Sequence, residues 1–396
     1  MDQIKYKYFI TAVVMMVIPL SGLSIDIYVP SLPSVAQYFD APKYLVQLSI
    51  TVFMLGIGFT QLIGGSFSDS FGRRKPLVIS MFVFVLLCFW IPYASSIYAL
   101  LFLRLIQGAT AGLFIVPMRS IAVDIYEGAE FQKMVSYMTM AWGLGTIVAP
   151  AIGGYLQQHL GWKSCFYFLG IYSGIGLLFL YYMLPETSKH KHPFRLKPTL
   201  ARYKETLFNA NFLLGLIFMG LLYSCLILFA IVGPFIIQVV MGYTPVQFGY
   251  VALLMGLAWF LGNTTSRFIL HISIKKKTTY LLWIMFIISI IAVFDAIVFP
   301  LNIYNLVIPT FILFWAAGSV YPAFLARSIS FNKTASGSVS AILGSFVFLV
   351  AAISSSAGVF LKSTSQIPLA VTFLAIVIIC ALIFYYDNKI SKVLAS

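Results

Sequence analysis

Long apolar runs follow one another along the whole of this 396-residue sequence, and they constrain its fold more than any other feature. Only 9% of the residues are charged, 61% are hydrophobic, and the mean hydropathy is +0.98. Such a composition lies outside the range of soluble globular domains, whereas a helix of about 20 apolar residues is long enough to cross a bilayer. We therefore predict an all-α integral membrane protein.

Polar residues, glycine and proline divide the apolar sequence into twelve predicted transmembrane helices. The predicted spans are residues 8–32, 45–68, 76–95, 98–124, 133–157, 163–184, 210–238, 246–270, 279–300, 304–326, 336–361 and 367–387. The longest polar segment begins at Pro185 and separates six spans from six. We predict an N-terminal six-helix half (1–184), a central cytoplasmic loop (185–209) and a C-terminal six-helix half (210–396), the layout of a transporter built from two repeats.

Basic residues are concentrated on one side of the predicted spans. If the N-terminus lies in the cytoplasm, 19 of the 25 lysines and arginines fall in cytoplasmic segments, and only Lys43, Lys163 and Lys362 fall in outer loops. This asymmetry follows the positive-inside rule, so the net charge of +14 needs no nucleic-acid partner. The first span lacks a small-x-small cleavage site and is predicted to remain as a helix. We predict a multi-pass protein of the cytoplasmic (inner) membrane with both termini in the cytoplasm.

The stretch GGSFSDSFGRRKPL, between the second and third spans, places several charges in a sequence that has few of them. Its spaced residues are Gly65, Asp69, Gly72, Arg73 and Arg74. Glycines allow a tight turn and a close approach of backbones. Asp69 can accept hydrogen bonds from the start of the next helix or pair with a neighbouring arginine. A loop that only anchored the protein at the lipid headgroups would need neither the aspartate nor the glycines.

Two further patterns place small residues inside predicted spans. The fourth span contains RLIQGATAG, which begins at Arg104, and the fifth contains GLGTIVAPAIGGYL. The spaced residues of the fifth span are Gly145, Pro150, Gly153 and Gly154. Small residues let membrane helices pack closely, and Pro150 removes a backbone hydrogen bond and bends its helix.

Together these patterns resemble signatures of the major facilitator superfamily. Residues 65–74 are similar to its loop G-x-x-x-D-R-x-G-R-[RK], with Ser70 in place of the arginine that usually follows the aspartate. Residues 104–112 resemble its R-x-x-Q-G-x-x-x-G element, and residues 145–154 resemble the antiporter signature G-x-x-x-[GA]-P-x-x-G-G. The resemblance implies the major facilitator fold, a gating loop that holds the two halves together on the cytoplasmic face, and exchange of substrate for protons.

Within that superfamily, three passages resemble the Bcr/CflA-type drug-resistance group. They are SIDIYVPSLP from Ser24, MRSIAVDIY from Met118, and GYLQQHLGWKSCFYF from Gly154 together with LPET from Leu184. The resemblance implies a proton-coupled exporter of small amphipathic compounds or drugs that works by alternating access. It also implies a small-molecule substrate, protons and membrane lipid as partners, no cofactor, and a monomer.

Charged residues inside predicted spans are functional candidates, because burying a charge in the bilayer costs roughly 2.5–3.5 kcal/mol. Asp26 and Arg104 lie at similar depths, ~10 Å and ~9 Å from the outer ends of their spans. They could pair statically, or a movement that changes their separation could switch the proton affinity of Asp26. Arg119, near the cytoplasmic end of the fourth span, either faces the cavity or extends to the headgroups. Asp295 is alone in a span that the resemblance makes peripheral.

Aromatic residues supply candidates for lining a substrate cavity, because aromatic faces attract cations and flat apolar molecules. The cavity candidates are Tyr28, Tyr223, Phe235 and Trp259.

Three alternatives to a drug exporter can be weighed on the sequence. A carrier of the same fold for one physiological metabolite, such as a sugar, peptide or siderophore, would carry the same motifs. An intramembrane enzyme has little support, since the four histidines lie in or near predicted loops and no zinc-protease or nucleophile motif is present. We therefore predict no catalytic residue and no metal site. A receptor or structural membrane protein has no use for a gating loop combined with an antiporter signature.

Overall fold

The structure is a computed structural model that describes residues 3–188, 203–204, 206–329, 336–361 and 365–393. Twelve helices within these residues are long and apolar enough to cross a membrane. The predicted all-α membrane fold and its number of spans are confirmed.

The twelve helices are labelled α1 to α12 in chain order. α1 comprises Gln3–Val17, Leu20–Asp26, a 3-10 turn at Val29–Ser31, and Leu32–Tyr38. The others are α2 (Lys43–Phe71), α3 (Arg74–Trp90), α4 (Ile97–Ile125), α5 (Gly128–Leu160), α6 (Lys163–Met183), α7 (Ala210–Pro234, continued by a π turn at Phe235–Val240), α8 (Pro245–Phe268), α9 (Ile274–Val298), α10 (Ile303–Ile329), α11 (Ser336–Gly358) and α12 (Ile367–Val393).

Prolines explain why α1 is divided. Pro19 separates its first two pieces, and Pro30 lies in the 3-10 turn. A proline has no backbone N–H and its ring crowds the preceding turn, so it bends or interrupts an α-helix. Pro33 instead occupies the first turn of the last piece, where a missing N–H costs little. The span therefore continues to Tyr38 and does not end at the predicted residue 32.

Glycines bring the same pair of helices together in each half. Gly108 of α4 lies against the carbonyl oxygen of Phe53 in α2. Gly262 of α8 lies in the same way against the carbonyl oxygen of Trp315 in α10. A side chain at either glycine would collide with the neighbouring backbone. Because α8 and α10 come second and fourth among the last six spans, as α2 and α4 do among the first six, this repetition is typical of two related six-helix units.

The first six helices meet the last six mainly through two helix pairs, α5 with α8 and α2 with α11. Near one end of the molecule, Gln47 Nε2 donates to the carbonyl oxygen of Ile231 at 2.8 Å. At the same end Gln238 Nε2 donates to the carbonyl oxygen of Pro30 at 3.0 Å. We call this end the Pro30 face, and these bonds, which join α7 to α2 and to α1, close it.

The opposite end, which carries Arg73 and Arg74, is called the basic face. The α5–α8 contacts at Gly154 and Ile147 lie in the part of α5 nearer the Pro30 face. Met134 and Met138 of α5 are buried, whereas Val135, Tyr137 and Met140, on the other sides of the helix, are exposed. The two six-helix units are therefore closed at the Pro30 face, and α5 is more exposed toward the basic face.

Candidate functional site

Asp26 lies where the first six helices meet α7. It is the last residue of the Leu20–Asp26 piece, so the negative end of that short helix does not stabilise its charge. The side chain is partly exposed, and no described residue hydrogen-bonds to it or pairs with it. The hydroxyl of Tyr223 in α7 lies within its electrostatic reach. Asp26 is thus an unpaired carboxyl group in the interior of the molecule.

Arg104 does not pair with Asp26 in this conformation, so of the two alternatives the static ion pair is not present here. Its Nη1 donates to the carbonyl oxygen of Ser24 at 3.2 Å and to the Gln107 side chain at 2.7 Å. The guanidinium lies over the ring of Phe53, 4.1 Å from its centroid. The side chain is completely buried, and its Nε and Nη2 have no hydrogen-bond partner. Arg104 therefore binds α1 through the backbone carbonyl of Ser24, and its guanidinium also contacts aromatic rings.

Arg119 faces the contact between the two six-helix units. A Cβ atom built on Gly344 of α11 would lie 3.1 Å from Arg119 Nη1 and 2.5 Å from Gln61 Oε1. The side chain is exposed although it lies within α4, and Tyr321 of α10 is in its electrostatic reach. Of the two predicted alternatives, a cavity-facing side chain fits these neighbours and a headgroup-facing one does not.

The four predicted cavity aromatics do not gather in one place. Tyr28 is completely buried within the first six helices, with its ring 5.1 Å from that of Phe166. Phe235 is buried at the Pro30 face, under Lys43 of α2. These two positions do not fit a cavity-lining role. Tyr223 and Trp259 are better placed: Tyr223 lies near Asp26, and Trp259 packs 5.4 Å from the ring of Tyr321.

Residues 65–74 form a charged cluster at the basic face. Arg73 Nη1 pairs with Asp69, and Arg73 Nε donates to Asp124 Oδ2 of α4 at 3.2 Å. Burial lowers the pKa of the Arg73 guanidinium, but the hydrogen bond to Asp69 and the charge of Asp124 outweigh it and raise that pKa. Ser70 donates to the carbonyl oxygen of Ser66, four residues back, and so makes only a local bond. The described partners of Asp69 and Arg73 all belong to the first 188 residues.

Glu186 completes this cluster and was not among the predicted site residues. Its carboxylate accepts from the backbone N–H groups of Arg73 at 2.8 Å and Arg74 at 3.3 Å, which begin α3. The positive end of a helix favours such an anion. Gly72 has a φ of +87°, and a Cβ there would meet the Glu186 carboxylate, so only glycine fits the turn. In the sequence, only the resemblance of the LPET passage to the Bcr/CflA-type group pointed to this segment.

Residues 145–154 lie where α5 contacts α1 and α8. Gly145 packs on Pro19, and Gly153 packs on the carbonyl oxygen of Ile27, both in α1. Gly154 faces the other way, toward Pro245 and Val246 at the start of α8. The expected close helix contacts are therefore present, and one of them joins the two six-helix units.

A second ion pair lies at the basic face within the last six helices. Arg327 at the end of α10 forms two hydrogen bonds, 2.6 and 2.7 Å long, to the buried carboxylate of Asp387 in α12. Asp295 in α9 is partly exposed, and no hydrogen bond or ion pair to its carboxyl group is found among the described residues. Nothing in its surroundings links it to Asp26 or Arg119.

Twelve spanning helices that close at one face, with charged side chains between two six-helix units, define a membrane transport protein. A family profile of the Major Facilitator Superfamily matches residues 14–355, and the chain belongs to this superfamily.

Relatives match the chain over nearly its full length. It is 28% identical over 377 residues to the Bacillus subtilis uncharacterized MFS-type transporter YdgK, covering 93% of both chains. It is 25% identical over 385 residues to the Haemophilus influenzae bicyclomycin resistance protein homolog, covering 96% of both. The crystal structure of a D-xylose-proton symporter has a TM-score of 0.73, covering 96% of this chain and 97% of that one at 15% identity. The last comparison shows the same fold.

Proposed function

We propose that the protein is a proton-coupled secondary transporter that exports small amphipathic compounds, drugs included, by alternating access. The observation that carries this proposal is the unpaired carboxyl group of Asp26 in α1, which lies near Tyr223 of α7. An exchanger needs a group that binds a proton in one state and releases it in another, with an affinity that responds to substrate. The likeness to a bicyclomycin resistance protein homolog supports export as the direction.

Orientation follows from the charges. The positive-inside rule supports a cytoplasmic basic face in the inner membrane, with both termini on that side. The conformation, closed at the Pro30 face and with α5 exposed toward the basic face, is then inward-facing. In this state Asp69 bonds Arg73 within the first half. We assign the contact of the gating loop with the second half to the opposite, outward-facing state.

The moving parts in this proposal are the two six-helix halves, residues 1–184 and 210–396, with 185–209 as their connection. The α5–α8 and α2–α11 contacts would open at the Pro30 face as the basic face closes. The buried Arg104 has two unpartnered nitrogen atoms, Nε and Nη2. These atoms can donate to a carboxylate when α1 moves. Asp26 is therefore the expected partner of Arg104 in the outward-facing state.

Transport by purified protein in proteoliposomes tests this proposal. An imposed pH gradient should drive bicyclomycin or ethidium across the membrane, and substrate should release protons from the protein in detergent. We expect Asp26→Asn to keep part of the substrate binding but to lose gradient-driven transport, because an amide cannot exchange a proton.

Asp295→Asn is the matched control, since it removes a carboxyl group from a helix outside the site. The control should transport like the wild type. If Asp26→Asn still couples transport to protons at the wild-type stoichiometry, the proton is carried by another group and the assignment of Asp26 is wrong. If no compound is driven by the gradient in the wild type, the proposed transport mechanism is wrong.

A further inference from the structure

Arg119 is a cation without a counter-ion. No described residue forms an ion pair or hydrogen bond with its guanidinium. The nearest acidic residue along α4, Asp124, is already bonded to Arg73 Nε at 3.2 Å and to Thr187 Oγ1 at 2.9 Å. Asp69 pairs with Arg73 as well. An exposed guanidinium inside a spanning helix is costly and usually marks a ligand or ion path.

Gln61 of α2 adds a second unused donor at the same place. Its side chain is 1% exposed, and its Nε2 has no hydrogen-bond partner. Its Oε1 and Arg119 Nη1 both lie within about 3 Å of the point where Gly344 would carry a Cβ. Buried amide N–H groups without an acceptor are rare in folded proteins, and each needs an explanation. Here an acceptor brought in by a ligand would satisfy it.

The surroundings of these two donors are aromatic. Tyr321 lies within electrostatic reach of Arg119, and its ring is 5.4 Å from that of Trp259. A guanidinium binds a carboxylate through two parallel hydrogen bonds, and the low-dielectric surroundings strengthen them. The site therefore offers the guanidinium of Arg119, the amide N–H of Gln61 and the aromatic rings of Tyr321 and Trp259.

We infer that Arg119 and Gln61 bind the carboxylate of an amphipathic organic acid whose apolar part packs against Tyr321 and Trp259. This inference names the substrate class of the transport site and rests on the proposed function. Export of an acid fits the charge of this site, because no described residue pairs with Arg119.

Matched pairs of ligands test the inference on the full-length protein in detergent. The probes are benzoate, cinnamate, 4-phenylbutyrate and 2-naphthoate, each compared with its methyl ester. Binding is measured as the ligand-dependent rise in the unfolding temperature, since a ligand that binds only the folded state stabilises it. We expect one or more of the acids, and none of the esters, to stabilise the wild type.

Variants at the two donors should separate charge from packing. Loss of a charge-assisted, two-bond pair weakens binding by roughly 30- to 100-fold, which we expect for Arg119→Gln. Arg119→Lys should recover part of the affinity, because a lysine keeps the charge but not the fork. Arg267→Gln, an exposed arginine at the end of α8, is the control and should bind like the wild type.

Gln61→Met keeps Arg119 and provides a second test if Arg119→Gln does not fold. It should weaken binding of the acids about tenfold, the loss of roughly one hydrogen bond to a charged group. The inference is wrong if no acid stabilises the wild type, if the esters bind as well as the acids, or if both Arg119→Gln and Gln61→Met bind the acids normally.

Failure of this inference can be told apart from failure of the proposed function. Bicyclomycin and ethidium carry no carboxylate, so their gradient-driven transport does not depend on an acid-binding Arg119. If that transport persists while no acid binds, only the substrate class is wrong. If the acids bind through Arg119 while no compound, the acids included, is moved by a pH gradient, the binding site stands and proton-coupled export does not.

Discussion

Adding one methyl group at Gly154 should weaken the closed Pro30 face. The Cβ of an alanine there would lie 2.5 Å from the carbonyl oxygen of Pro245, whereas ordinary contacts begin at 3.4 Å. α5 and α8 must therefore separate by about 0.9 Å at this point. Overpacking of this size costs about 1–3 kcal/mol. Because the contact joins the two halves, we expect a shift of about 5- to 150-fold toward the state open at this face.

Gly143→Ala is the matched control. It lies on the same helix, nothing lies within 4 Å of its Cβ position, and it gains the same helix propensity. Spin labels at Leu160→Cys and Val239→Cys, both exposed near the Pro30 face, would measure the opening by electron–electron distance. The four native cysteines are buried and should label little. A Gly154→Ala distance distribution identical to that of Gly143→Ala would refute the reasoning.

Two further predictions concern the basic face. Asp69→Ala should abolish turnover in proteoliposomes while its unfolding temperature stays near the wild-type value, because the half-exposed Asp69–Arg73 pair contributes at most about 1 kcal/mol; full transport by this variant would remove the loop from the mechanism. Asp387→Ala should instead destabilise the protein by about 2–3 kcal/mol, since it leaves Arg327 without its buried partner; an additive double-mutant cycle with Arg327→Ala would show that the pair contributes nothing.

The helices and the small-residue contacts could be read from the sequence because both are local. A run of apolar residues specifies a span whatever its neighbours are, and small residues at Gly108 and Gly153 permit close approach wherever the helices meet. The start of α2 and the end of α1 were less certain, because prolines can end a helix or begin one. Pro33 begins one.

The partner of Arg104 could not be read from the sequence. Matching depth fixes the height of two residues in the bilayer but not the direction in which each helix presents them. Ser24 and Asp26 are neighbours in depth, yet their positions differ by about 200° around an α-helix. Arg104 reaches the backbone of Ser24 and the ring of Tyr28, and it leaves Asp26 to the side that faces Tyr223.

Gln61 could not be predicted from the sequence for a different reason. A charge inside a span indicates function, but an uncharged amide does not, because such side chains are common in membrane helices and usually have a hydrogen-bond partner. Only the packed structure shows that its Nε2 is buried without an acceptor and lies beside Arg119.

The bonds of Glu186 and Thr187 have a consequence for the order of assembly. Among their described partners are Arg73, Arg74 and Asp124, which all precede them in the chain. As soon as residue 187 has left the ribosome, these hydrogen bonds can join the ends of α2, α3, α4 and α6 at the basic face. Chains fold from the N-terminus while synthesis continues. The first six helices can therefore complete their own bundle in the bilayer before any of the last six has been translated.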